Sequence, residues 1–246
     1  MKHFLGIVLL LSSFYSSFSQ SLIVGIPSAD VAEKHHLEFT HESQIGLQSR
    51  PYKWNSFNFL CYGLGNNAEL TVTLNNLNND GSTNAAIGFG AKKVFPIFKS
   101  NNKWEHKLTA GSNILYGKQS GNIGFWSYGH YSFRVPATKT RLTAGVNYGQ
   151  SQTFGFKSVM QNNQVTLTGR KLGSFIGGIE QPLYKNISLI ADWYSGTHDL
   201  AAFIPALQID VKHHVFIVGY KIPNNAASGN RALIVEFMLN LPTRKR

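Results

Sequence analysis

Apolar and polar residues alternate along most of this chain with a period of two. In Arg141-Leu142-Thr143-Ala144-Gly145-Val146-Asn147-Tyr148-Gly149 the even positions are apolar and the odd ones polar or glycine. A β-strand sends successive side chains to opposite faces, so such a stretch has one oily face and one wet face. Residues 69–75 repeat the signature, with Leu70, Val72 and Leu74 on the oily side. Residues 186–193 keep the rhythm with one exception, Ile190. Near the C-terminus Leu233, Val235, Phe237, Leu239 and Leu241 alternate with Ile234, Glu236, Met238 and Asn240. No long segment carries the 3.6-residue period of an amphipathic helix.

Turn signals separate these runs: Gly65-Asn66-Asn67, Asn78-Asn79-Asp80-Gly81, Lys99-Ser100-Asn101-Asn102, Lys118-Gln119-Ser120-Gly121, Gln161-Asn162-Asn163 and Pro223-Asn224-Asn225. Asn and Gly tolerate the positive φ of tight hairpins. Splitting the chain there predicts strands near 35–46, 52–64, 68–78, 84–98, 104–117, 121–136, 139–155, 164–182, 186–197, 200–211, 214–223 and 231–242. The expectation is therefore all-β: an up-and-down antiparallel transmembrane β-barrel of about 12 strands, with 10 or 14 as alternatives. Bacterial barrels of this kind have even strand numbers, and their tilted strands need roughly 9–11 residues. A soluble β-sandwich would alternate too, but its strands are usually shorter, about 5–6 residues. Aromatics also flank the apolar bands: Tyr52 and Trp54, Trp104 and Tyr116, Trp126 and Tyr131, Tyr184, Trp193 and Tyr194, and Tyr220. Membrane interfaces favour that placement.

Composition points the same way. Charged residues make up 14% of the 246 positions, against roughly 25% in soluble domains. The N-terminus reads as an export signal. Lys2 and His3 precede the apolar run 4–11, and Ser17 and Ser19 sit at the −3 and −1 positions of a cut before Gln20. The expected organisation is a signal peptide at 1–19 and one barrel domain at 20–246. The apolar run is too short to span a bilayer, and no later stretch approaches the roughly 18 residues a membrane helix needs. Cys61, the one cysteine, sits in an apolar alternation and reads as a small hydrophobe.

The formal charge is +11, or +10 without Lys2 (22 basic minus 12 acidic). Only Lys92-Lys93 and Arg244-Lys245-Arg246 cluster, and no nucleic-acid motif accompanies them, so no nucleic-acid partner is expected. Lipid of the outer membrane is the expected partner, with anionic head groups attracting the excess charge.

With the pattern established, the chain resembles the small outer-membrane β-barrel proteins of Bacteroidetes-like bacteria, a family described only as barrel-domain or transporter-like. Three stretches carry the resemblance: Ile26-Pro27-Ser28-Ala29-Asp30-Val31, the run 187–196, and the pair Val218-Gly219-Tyr220 and Leu233-Ile234-Val235-Glu236-Phe237. The resemblance implies a Gram-negative outer-membrane barrel, placed by the barrel assembly machinery, with no defined solute. Proteins of this kind typically end on an aromatic residue that the machinery reads. Here Phe237 is followed by Leu239, Leu241 and the tail Pro242-Thr243-Arg244-Lys245-Arg246.

Candidate chemistry is sparse. His35-His36, His41-Glu42 and Lys212-His213-His214 match no zinc spacing, so neither a metal nor a cofactor is expected. An outer-membrane phospholipase carries its catalytic Ser and His on a barrel wall, so Tyr194-Ser195-Gly196-Thr197-His198-Asp199 is the place to look for a hydrolase. Ser, His and Asp so close along one loop do not readily form a triad, and no GxSxG is present, so no enzyme is expected. The wet face is more informative. Alternation turns Glu38, Glu42, Glu69, Lys107, Arg141, Glu180, Asp192, Asp210 and Glu236 toward the lumen, because a cation facing lipid at mid-depth costs about 2–4 kcal/mol. A buried Arg141 needs a carboxylate from another strand, with Asp192 or Glu180 as candidates. Such a lumen suits a narrow pore or small-solute transporter. A non-conducting envelope anchor or surface-binding barrel is the alternative, and a barrel-borne lipid hydrolase a remote one.

The N-terminal pattern makes one prediction. Mass spectrometry of the mature protein should find Gln20 as its first residue, and Met1 retained in a soluble cytoplasmic pool would refute it.

Overall fold

The computed structural model describes residues 21–48, 52–79, 81, 85–97, 104–117, 121, 123–150, 157–161, 164–168, 171–198, 200–225 and 231–242. Twelve strands close into one antiparallel barrel: β1 (His36–Gly46), β2 (Lys53–Gly65), β3 (Ala68–Asn78), β4 (Ala86–Pro96), β5 (Glu105–Gly117), β6 (Ile123–Arg134), β7 (Arg141–Gln150), β10 (Lys171–Tyr184), β11 (Ile187–Tyr194), β12 (Ala202–Val211), β13 (His214–Pro223) and β14 (Ala232–Pro242). Each pairs with its predecessor around the wall, and β1 with β14 closes the ring through the register His36↔Pro242 to Gly46↔Ala232. Closure leaves no edge strand in the barrel wall.

One predicted strand needs correction. The stretch 164–182 is two strands: β9 (Gln164–Thr168) pairs with β8 (Lys157–Gln161) in a separate hairpin, and only β10 enters the wall. The apolar alternation runs across both, so periodicity alone could not show the break. The β8–β9 hairpin belongs to the connection between β7 and β10, at one end of the barrel. At the other end the turns are short, as at Asn66-Asn67, Lys185-Asn186 and Lys212-His213. Asn66, Asn67 and Lys212 all adopt positive φ there. The start of β1 and the end of β14 lie at this short-turn end.

The oily face is the outer surface. Leu70, Val72, Leu74, Phe89, Val146, Leu189, Leu207 and Val218 are all exposed outward, from 38% at Val72 to 62% at Phe89. So extensive an apolar belt is untenable in water and is what a lipid-facing barrel presents. Tyr52, Trp104, Tyr116, Tyr184 and Trp193 are exposed near strand ends. Trp126 and Tyr194 depart from the sequence expectation. Both turn inward, Tyr194 buried in the core and Trp126 packed against it. Each lies on the inward phase of its strand, which the aromatic-belt argument had set aside.

Part of the space inside is occupied by the chain itself. Residues 21–28 form a small hairpin within the lumen: Leu22 bridges Pro27, Ile23 N–H donates to Ile26 O (2.9 Å), and Ser28 N–H donates to Ser21 O (3.0 Å). Ser21, Ile23, Val24, Ile26 and Ser28 are all buried. The connection to β1 passes the short-turn end, where His35 N–H donates to Gly63 O (2.8 Å). Gly63 is required for this passage, because a Cβ there would collide with the carbonyls of Ala32 and Glu33.

These faces predict an asymmetric arginine scan. Arg at Val72, Val146 or Leu189 should block assembly in a bilayer, at about 2–4 kcal/mol each. Arg at Ser188, on the inward phase near the short-turn end, should leave a heat-modifiable barrel on a gel. Equal damage from both sets would mean the outer belt does not face lipid.

Candidate lumen site

The hairpin is two-sided, and the wall matches each side. Toward β10–β14 it presents Ile23, Val24 and Ile26. These pack in one buried cluster with Ile176 of β10, Ile190 of β11, Ile204 of β12, Ile217 of β13, and Ile234 and Met238 of β14. That contact accounts for Ile190, the one apolar residue on the wet face of its run. Gly178 keeps the wall low enough for the hairpin, since a Cβ there would sit 2.6 Å from Ile23 Cδ1.

Toward β1–β7 the contacts are polar. Glu69 Oε2 accepts the Ser21 hydroxyl (2.9 Å) and the Ala32 N–H (2.7 Å), while its Oε1 lies 3.0 Å from Lys92 Nζ. Lys92 Nζ donates to Ser21 O (2.9 Å), and Glu38 Oε1 accepts the Ser21 N–H (3.1 Å). Further along, Asp30 bridges two wall cations, Lys107 at 2.6 Å and Arg141 at 2.7 Å. Lys107 also pairs with Glu105, and Arg141 Nε lies 3.3 Å from Glu180. Burial alone would raise the Asp30 carboxyl. The Arg141 guanidinium and Lys107 ammonium outweigh it and hold Asp30 well below the usual carboxylate range.

Asp192 holds the hairpin's apex. Its Oδ2 accepts the N–H groups of Val24 (3.2 Å), Gly25 (2.6 Å) and Ile26 (3.0 Å). Three convergent backbone amides form an anion nest, here filled by a wall carboxylate. Tyr194, two residues along β11, donates its hydroxyl to Gly25 O (2.8 Å).

The nine sequence candidates all lie on the inward phase of their strands, but they do not form one network. Glu38 and Glu69 hold Ser21, Lys107 and Arg141 hold Asp30, and Glu180 completes the Arg141 pair. Arg141 thus meets a carboxylate from another strand, together with one from the connection between hairpin and β1 that strand pairing could not reveal. Asp192, the expected partner of Arg141, binds backbone amides instead. Glu42 and Glu236 face each other across the β1–β14 seam, where Glu42 accepts from Gln44 (2.6 Å). Asp210 accepts from Gln208 (2.8 Å) near the short-turn end and joins no hairpin contact among the described residues. Lys92 and the hairpin itself escaped sequence reasoning.

Of the loop candidates for hydrolysis, the Ser195 and His198 side chains have other partners. Ser195 Oγ accepts the Phe175 N–H (2.8 Å), and His198 Nε2 lies 3.1 Å from Ser174 Oγ instead. Asp199 lies outside the described residues. Burial pushes the His198 imidazole down to about 4, so it is neutral at physiological pH and sits in a hydrogen-bonded set with Ser174 and Asn147. Of the histidines, His35 meets the Tyr62 hydroxyl (3.1 Å), and His41 meets Asn58 (2.7 Å) and Ser43 (2.9 Å). Among the described residues no cluster of three metal-ligating side chains occurs.

The hairpin's anchors can be tested with a Ser28→Cys reporter in a Cys61→Ser background. Asp192→Ala removes an anionic acceptor of three N–H bonds and should weaken the hold by on the order of 3 kcal/mol. The labelling rate of Ser28→Cys by an impermeant thiol reagent should rise by about a hundredfold, since each 1.4 kcal/mol is tenfold, and an unchanged rate would refute the anchor. The Asp30 contribution has a defined pH sense. Its folded-state pKa is depressed, so its stabilisation is complete above the ordinary Asp range and is lost as pH falls through and below it. Divided by the rate of a free cysteine peptide at the same pH, which removes the thiolate dependence, labelling should be flat from pH 5 to 8 and rise only in strong acid, whereas Asp30→Asn should raise it at neutral pH.

No protein-family model matches the chain, and no curated protein sequence is significantly similar to it. Solved structures do match in shape. A structure titled KdgM porin, and one of that porin in complex with disordered oligogalacturonate, each superpose with a TM-score of 0.50 at 14% identity, covering 83% of this chain and 98% of theirs. The translocator domain of the autotransporter NalP from Neisseria meningitidis gives a TM-score of 0.45 at 10% identity, over 85% of this chain and 88% of that domain. At such identities the porin likeness establishes the fold, a small closed antiparallel β-barrel.

Proposed function

We propose that the chain is an integral outer-membrane barrel whose lumen is a small-solute path, closed here by its own N-terminal hairpin. The carrying observation is that the obstruction is no part of the wall strands but a segment joined to β1 near residue 34 and seated by side-chain contacts, the isoleucine cluster, the Glu69–Lys92 and Asp30–Arg141 pairs and Asp192. With the hairpin gone, Glu38, Glu69, Lys92, Lys107 and Arg141 would line one side of a channel of hairpin width, with the isoleucines of β10–β14 around Asp192 on the other. The exposed apolar belt supports the membrane setting, with lipid around the wall and the barrel assembly machinery as the route to it. The porin among the structural neighbours supports the pore reading, as does the export signal expected at 1–19. Lumen closure by the hairpin favours a second reading, a non-conducting envelope anchor.

Planar-bilayer recording separates the two. Deleting residues 21–32 should give a steady open level that the full chain lacks. In that background Arg141→Glu should shift preference toward cations, because it adds negative charge to the channel wall. A deletion protein that inserts as a heat-modifiable barrel and still passes no current would end the pore reading and leave the anchor.

A further inference from the structure

Beyond the hairpin apex the lumen changes character. On the inward phase the wall carries Phe57 and Phe59 of β2, Leu115 of β5, Trp126 of β6 and Ile204 of β12, and these surround a cavity of about 90 Å³ floored by Gly25. An ion path gains nothing from aromatic rings turned into water, since apolar surface there is unfavourable. Polar side chains interrupt the apolar lining on two sides, Thr73, Asn75 and Asn113 on β3 and β5 and Glu42, Gln44 and Lys221 opposite them. Thr73 Oγ1 and Asn75 Oδ1 of β3 are buried atoms with no hydrogen-bond partner among the described residues, and Thr73 is 2% exposed. The Thr73 hydroxyl lies over Gly88 of β4, where any side chain would collide with it. The facing wall is already linked: Gln44 donates to Glu42, and Lys221 donates to Gln44 (3.3 Å).

An apolar concavity with a few convergent hydrogen-bonding atoms is the usual form of a small-molecule site. We propose that this vestibule binds a small amphiphile, its aromatic or aliphatic body against the rings and a hydroxyl head between Thr73 and Asn75. The hydroxyl would donate to Asn75 Oδ1 and accept from the Thr73 hydroxyl. The bound molecule would rest on Gly25, whose carbonyl Tyr194 holds, and so would sit directly on the closing hairpin. The proposal rests on the gated-channel reading and names the solute class for it.

Equilibrium dialysis of the full chain in lipid nanodiscs tests the site, with empty nanodiscs as the blank and phenol, benzene and glucose as probes. Saturable phenol binding above the blank, undisturbed by glucose, is expected. Phe59→Ser combined with Trp126→Ser should weaken it by at least about tenfold, while Phe89→Ser on the outer belt should change it by less than about twofold. The near-isosteric Thr73→Val should weaken phenol by about fivefold and leave benzene unchanged. Uptake equal to the blank, competition by glucose, or indifference to both Thr73→Val and the lumen pair would overturn the site. Conductance without such binding removes the site alone. Binding that follows these rules in a protein whose hairpin deletion never conducts removes the transport reading and leaves the site standing.

Discussion

Twelve strands enclose more room than the side chains of their own wall can fill. Eight-stranded barrels can pack their interiors with wall residues alone, and barrels of 16–18 strands leave an open channel. This chain lies between those sizes, and its N-terminal hairpin meets the shortfall. The inward face of almost every strand follows from that one requirement. Isoleucines on β10–β14 meet the hairpin's apolar side, and charges on β1–β7 meet its polar side. Asp192 sits where the backbone turns and has amides to offer.

The two kinds of contact act differently. The isoleucine cluster is non-directional and gives the hairpin most of its burial. The Asp192 nest and the Glu69 and Lys92 contacts to Ser21 are directional and orient the hairpin, while Asp30 ties the connection that follows it to Lys107 and Arg141. A charge buried in the lumen without a partner would cost several kcal/mol, so wall and hairpin depend on each other. Past the apex, among the described residues, the directional contacts give way to rings around the vestibule cavity.

Much of this was legible in the sequence. The twelve barrel strands follow from the period-two pattern and the Asn/Gly turns, with ends within a few residues for most of them. The phase of Leu70, Val146 and Leu189 gave the outer face. The occupant of the lumen was harder to see, because a segment of eight residues with no extended alternation looks like a linker between a signal and a first strand. Its trace was nevertheless present on the wall. Ile190 breaks the wet-face rule, and Ile234 and Met238 sit on the same phase as Glu236, which is intelligible only if something apolar lies inside. Trp126 and Tyr194 show the converse error. Position near a strand end suggested an interfacial belt, whereas the parity of each residue within its strand placed it in the lumen. Asp192 illustrates a limit of pairing arguments, since charge complementarity cannot anticipate an anion bound by main-chain amides.

The tether at residue 34 has a consequence for how the obstruction behaves. A hairpin joined to β1 by a few residues is an intramolecular ligand, and short linkers hold such ligands at effective concentrations of about millimolar. Individually modest contacts therefore suffice to keep it seated. On the proposed solute path a displaced hairpin could not diffuse away, so the lumen would reclose at a rate that the wall and tether set and that does not depend on how much protein the membrane holds. A molecule passing through would compete with a rival always present at the same local concentration, and the barrel would reseal itself.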